Sequence, residues 1–234
     1  MQPELQPIRT GNSLPAQDYA VQQHRVLRNT YWLLALSLIP TVIGAAIGTN
    51  LDLGFMRASP MLSFFAVLAI FYGWIFAIER NRNSSLGVGL LLGFTLFMGL
   101  LLGPLLQSVL GLKNGIQLVV MAFGGTAAVF AVMAGIATTT KRDLSGMANF
   151  LAVGAVVIML AVVANVFFQS VTAYLVILAG FVLLSSLLML WQINAIVRGG
   201  ETNYVSATLT LYVSIYNLFS SLLQLLGIFG GNRD

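Results

Sequence analysis

The sequence predicts an all-α integral membrane protein, a bundle of seven transmembrane helices. Three observations carry this. Of 234 residues, 58% are hydrophobic and only 8% charged, whereas about a quarter of a soluble domain's residues are charged. The apolar residues fall into seven runs, each near the roughly 20 residues that a helix needs to cross about 30 Å of hydrocarbon. The runs are continuously apolar, unlike the alternating segments of about ten residues that build a membrane barrel.

Met1 to about Arg28 is polar, broken by Pro3, Pro7, Gly11 and Pro15, and too poor in apolar residues to build a core. It is expected to be a mostly disordered cytoplasmic tail (1–28) ahead of a transmembrane domain (29–234). It lacks the apolar stretch and small-residue cleavage site of a signal peptide. The spans are expected near Tyr31–Thr49, Met61–Ile78, Leu86–Gln107, Ile116–Thr138, Gly146–Phe168, Val171–Val197 and Tyr204–Phe229. Only Gln169, Ser170 and Thr172 interrupt the fifth and sixth, so a tight hairpin must turn there. Pro104 is expected to bend or end the third span, since it removes a backbone donor. Gly89 with Gly93, and Gly99 with Gly103, are spaced four apart on that span, as in close-packed helix interfaces.

With seven spans, Arg9, Arg25, Arg28, Arg80, Arg82, Lys141, Arg142 and Arg198 all fall on one side, and Arg57, Lys113 and Arg233 on the other. The positive-inside rule then places the N-terminus in the cytoplasm and the C-terminus outside. The net charge of +4 follows from these loop cations and does not call for nucleic acid.

The absence of cysteine excludes disulfides, thiolate metal sites and cysteine nucleophiles. Every acid (Glu4, Asp18, Asp52, Glu79, Asp143, Glu201, Asp234) lies in a tail, a loop or near a span end, so no carboxylate is expected at mid-membrane, where ion and proton pathways place them. His24, the single histidine, sits beside Arg25 and reads as interfacial or solvated. No paired catalytic carboxylates, HExxH, phosphate loop or serine elbow is present. An enzyme is not expected, and no cofactor or metal is implied. Polar neutral residues occur inside spans, notably Asn165, Gln192, Ser214 and Asn217. They read as interhelical hydrogen-bonding groups, with Gln192 and Ser214 facing each other across a cavity as the sharper alternative. The run from Arg198 to Asn203 reads as a helix stop followed by a helix start, with Thr202 or Asn203 as the N-cap.

His24–Leu34 (HRVLRNTYWLL), Met121–Val129 (MAFGGTAAV) and above all Gly199–Leu226 (GGETNYVSATLTLYVSIYNLFSSLLQLL) resemble the bacterial Bax-inhibitor family. Gly199, Gly200, Glu201, Asn203, Tyr204 and Asn217 are the motif residues that carry the likeness. The resemblance implies a seven-helix inner-membrane fold and association with the membrane-bound FtsH protease, as its inhibitor or substrate, with the cytoplasmic tail as the part gripped. Oligomeric state is left open, and surrounding lipid is the one other expected partner. Other family members are pH-sensitive calcium leaks that use two aspartates on the last two helices. The resemblance puts Gln192 and Ser214 at those positions, where neutral groups supply neither attraction for calcium nor a gating protonation. An ion leak is therefore the second-ranked expectation.

Overall fold

The computed structural model describes residues 16–51 and 59–231. Seven helices follow one another: α1 (Ala16–Gly48), α2 (Pro60–Arg80), α3 (Ser85–Leu110), α4 (Gly115–Thr139), α5 (Met147–Phe168), α6 (Val171–Val197) and α7 (Tyr204–Gly230). All seven are long and apolar enough to cross a membrane. Helix is what such runs must form in lipid, because it satisfies every backbone group within the segment.

Six helices match their predicted boundaries to within a few residues. The first does not: α1 begins at Ala16, about four turns before the apolar run at Tyr31. Residues 16–28 are therefore helical, where the polar composition predicted disorder. Val26 explains part of this, because it is buried in a small cluster with Ile196 and Ala207 that extends the core beyond the apolar run. The disorder expected of residues 1–15 lies outside the described residues. Pro104 does not end α3, which continues to Leu110.

The tight hairpin between α5 and α6 forms as predicted. Gln169 takes a left-handed φ of 48° and donates its N–H to the Asn165 carbonyl at 2.8 Å. The Asn165 side chain accepts from Ser170 N–H at 3.0 Å, and the Ser170 hydroxyl caps α6 by accepting from Ala173 N–H.

The bundle is built around α7, which packs against α1, α2, α3, α4 and α6, while α5 packs chiefly on α6. Its buried core joins Leu33 and Leu34 of α1, Ile78 of α2, Leu91, Phe94 and Met98 of α3, Met189 and Ile193 of α6, and Leu209, Tyr212 and Leu218 of α7. In lipid the outermost helix is the most apolar and the central helix the least. Only Leu151 of α5 is buried, and Phe150, Val153 and Leu160 face outward, whereas α7 buries Ser206, Thr208, Ser214 and Ser221. A polar group is tolerated at the centre because protein, not hydrocarbon, surrounds it.

The closest helix approach joins α1 to α3. A Cβ built on Gly99 would sit 2.2 Å from the Thr41 carbonyl oxygen, and one on Gly103 2.2 Å from the Gly48 carbonyl carbon. Reciprocally, Gly44 meets the Leu96 carbonyl and Gly48 that of Leu100. The Leu100 carbonyl is the one whose helical donor Pro104 removes, so the opposing backbone covers it. The Gly99–Gly103 spacing is thus an interface. Gly89 is not part of one, with nothing within 4 Å of its built Cβ, and Gly93 meets only the Trp74 ring.

Candidate functional site

The residues singled out by the sequence separate into three places. The first is the turn between α6 and α7, which organises one end of the bundle. Gly199 N–H donates to Ile196 O at 3.1 Å and Gly200 N–H to Ala195 O at 2.8 Å. With φ of +76° at Gly199, this is the paired bond pattern that closes a helix on a left-handed glycine. A side chain at Gly199 would also collide with the Gln23 amide of α1, 2.9 Å from the built Cβ. Asn203, one of the two predicted caps, is the N-cap of α7. Its Oδ1 accepts from Val205 and Ser206 N–H at 2.9 and 3.2 Å, while the Glu201 carboxylate accepts from Asn203 N–H at 2.8 Å.

The same turn reaches the neighbouring loops. Asn203 Nδ2 donates to Arg82 O at 3.2 Å and to Asn83 Oδ1 at 2.7 Å. Ser206 donates to Glu79 Oε2 at 2.9 Å, and Arg82 pairs with that carboxylate at 3.3 Å. On the other flank Arg198 donates to Thr140 O at 3.2 Å, and Asn194 Oδ1 accepts from Leu144 N–H at 3.1 Å. Asn194 is 1% exposed and was not singled out by the sequence. Its only signal was a position one turn before the helix stop, where a side chain can reach an adjoining loop. The turn thus holds α1, the α2–α3 loop and the α4–α5 loop together.

These contacts gather Arg25, Arg28, Arg80, Arg82, Lys141, Arg142 and Arg198 at one end, while of the described basic residues Lys113 alone lies at the other. Asp143, at the basic end, is held below the usual carboxylate range by the Ser145 amide first and then by its hydroxyl, with the Arg198 charge adding to both. Because the folded value is lowered, the stabilisation is present at neutral pH and is lost as pH falls through that lowered value. His24 is exposed on α1 at the same end.

Replacing Asn203 by alanine removes a cap worth about 1 kcal/mol together with two exposed loop bonds, which add at most roughly 0.5 kcal/mol each. A lower melting temperature and faster hydrogen exchange in the first turn of α7 are expected. Unchanged exchange there would show that the turn is held otherwise.

The second place is the pair Gln192 and Ser214, respectively 2% and 1% exposed on the facing helices α6 and α7. They do not bond to each other. Ser214 donates to Thr210 O on its own helix at 2.8 Å, as serines inside helices commonly do. Among the described residues Gln192 Nε2 has no partner, and neither do its neighbour Trp191 Nε1 and Thr30 Oγ1 on α1. Interhelical bonds are made instead by Tyr212, whose hydroxyl lies 2.8 Å from that of Thr41 and donates to Thr95 O at 3.3 Å, and by Trp74, whose ring N–H donates to Leu90 O at 2.9 Å. An orphaned buried amide costs about 1–3 kcal/mol, so Gln192→Leu, which keeps the volume, is expected to raise the melting temperature by several degrees. A fall would mean that the amide is bonded through a water or an ion.

The third place is a 320 Å³ cavity between α2, α5, α6 and α7, in the half of the bundle remote from the basic end. Its polar lining comes from Asn165, Tyr174, Asn217, Ser220, Ser221 and Gln224. Gln192 and Ser214 are not among its lining residues. Asn165 and Asn217, expected to bond between helices, do not. The Asn165 oxygen accepts from Ser170 N–H within the hairpin, and Asn217 lines the cavity. Tyr174 and Gln224 bond to each other across it.

Residues 23–231 match the family described as "Inhibitor of apoptosis-promoting Bax1". The chain is 47% identical over 210 residues to an uncharacterized protein of Neisseria meningitidis, covering 89% of this chain and 92% of that one. It is 45% identical over 207 residues to an uncharacterized protein of Pseudomonas aeruginosa, covering 88% and 90%. It is 41% identical over 211 residues to the modulator of FtsH protease YccA of Escherichia coli K12, covering 90% and 92%.

Proposed function

The chain belongs to the Bax-inhibitor family, and from that premise we propose that it is a non-enzymatic modulator of an FtsH-type protease in the bacterial inner membrane, acting as inhibitor, substrate or both. The observation that carries the proposal is the 41% identity to a relative named for that role, over 90% of this chain. In this reading the basic end faces the cytoplasm, with the N-terminus there and the C-terminus on the opposite side. Residues 1–15 are the segment a processive protease engages. An extraction force on α1 is then resisted at its glycine-packed face against α3 and at the turn from Gly199 to Asn203. A chain that is easily gripped yet hard to pull apart would hold the protease engaged while it fails to advance.

The ion-leak reading ranks second. With Gln192 and Ser214 at the acidic positions of the leak-forming relatives, the chain lacks the charge to draw calcium out of water and the titrating group to gate it. The test of the leading reading is a pull-down from detergent-solubilised membranes, comparing the full chain with a deletion of residues 1–15. Recovery of the protease with the full chain is expected. Recovery with neither form would overturn the reading.

A further inference from the structure

The cavity between α2, α5, α6 and α7 combines features that select a ligand. Its lining carries hydrogen-bonding groups without formal charge, interleaved with apolar walls from Phe64, Val162, Val166, Ile177 and Phe181. Tyr174 and Gln224 are consumed by their mutual bond and Ser220 by the Asn217 carbonyl, whereas the other three keep open valences. Asn217 uses only its backbone carbonyl, which accepts from Ser220, and its side-chain amide has no partner among the described residues. Ser221 is 2% exposed with its hydroxyl likewise unbonded, and Asn165 keeps its Nδ2 donors after its oxygen has bound Ser170.

Depth makes the open valence of Asn217 costly, whereas Asn165 lies three residues before the end of α5 at Phe168. Asn217 lies 13 residues before the end of α7 at Gly230, about 20 Å along the axis at 1.5 Å per residue, well inside the hydrocarbon zone. Asn217 is half-buried, and an amide left facing hydrocarbon costs up to several kcal/mol, a cost that a bonding ligand in the cavity removes. A phosphate or carboxylate head would be desolvated with no cation facing it, and a metal ion would meet no anionic ligand. The mostly apolar walls also make a purely aqueous filling poor. The position opens to lipid: α2 packs mainly on α3 and α7, and α5 mainly on α6, so the two outlying helices flank the cavity with little or no packing on each other.

We propose that this cavity binds the uncharged glycerol head of a neutral glycerolipid, a mono- or diacylglycerol, drawn from the surrounding leaflet. The free hydroxyl donates to the Asn217 side-chain oxygen and accepts from Asn165 Nδ2 or Ser221, while the acyl chain leaves along Phe64 and Val166 between α2 and α5. Neutral oxygen-rich lipid is distinguished from phospholipid here by the lack of any cation in the lining.

The experiment uses the full chain in nanodiscs doped with equal fractions of dioleoylglycerol and dioleoylphosphatidylglycerol, followed by release into native mass spectrometry. Selective retention of dioleoylglycerol is expected, weakened about tenfold by Asn217→Leu, which removes a bonded amide worth about 1.4 kcal/mol. Val162→Trp, which fills the cavity from an apolar wall and spares every polar group, is expected to abolish retention. Melting temperature certifies that each variant is folded, and either variant alone suffices. Equal retention of both lipids, retention of neither, or retention unaffected by a folded variant would overturn the proposal.

Discussion

Replacing Gly103 by leucine is expected to prevent the bundle from assembling, or to lower its melting temperature more than any other single change considered. The Cβ alone would lie 2.2 Å from the Gly48 carbonyl carbon and 2.3 Å from its oxygen. Overpacking a core against side chains costs about 1–3 kcal/mol, because rotamers can shift. At Gly103 the obstacle is backbone of another helix, so α1 and α3 must separate. That would also break the neighbouring approaches of Gly44 to Leu96, Gly48 to Leu100 and Gly99 to Thr41, which share the same interaxial distance. Domains are stable by only about 5–15 kcal/mol, so loss of this interface is a large fraction of the total. Gly89→Leu on the same helix is the control. With nothing within 4 Å of its built Cβ, it is expected to melt within a few degrees of the unmodified chain. Thermal scans of the purified variants in detergent decide the matter, and equal melting of Gly103→Leu and Gly89→Leu would contradict the packing described.

Deleting residues 1–15 is expected to slow turnover of this chain by FtsH by about tenfold, equivalent to roughly 1.4 kcal/mol of lost engagement. The cut spares α1, which begins at Ala16, and the approach of Gln23 to Gly199. A deletion reaching Gln23 would damage the fold and confuse the two effects. Pulse-chase lifetimes in cells with and without the protease separate engagement from general instability. A truncated chain cleared as fast as the full one would show that the grip lies elsewhere. Gly103→Leu should act in the opposite direction: a body that opens more often is extracted more often, because degradation follows the population of opened forms.

The seven spans were legible because lipid leaves a chain so few options: long apolar runs must be helices, and loop cations sort them by side. The helix stop at Gly199 and the cap at Asn203 were legible for a local reason, since both are settled by residues adjoining in sequence. What the sequence hid depends on which faces meet. Gly89–Gly93 and Gly99–Gly103 have the same spacing on one helix, yet only the second faces α1 closely enough to need glycine. The helical segment from Ala16 to Arg28 was hidden because it is mostly polar and only a few apolar residues, Val26 and Leu27 among them, reach the cluster around Ile196. Gln192 and Ser214 were found as buried polar residues on facing helices, but not their bonding, because Ser214 turns back on its own helix. The cavity at Asn217 was not foreseen, since its lining comes from four helices with no shared spacing.

The measurement that most directly tests a role in protease modulation is the rate at which purified FtsH, reconstituted in lipid with ATP, degrades a second membrane substrate as this chain is added in increasing amounts. The account predicts that the rate falls as the intact chain rises and that Gly103→Leu, itself degraded, relieves the inhibition. A rate independent of the chain at every ratio would contradict it.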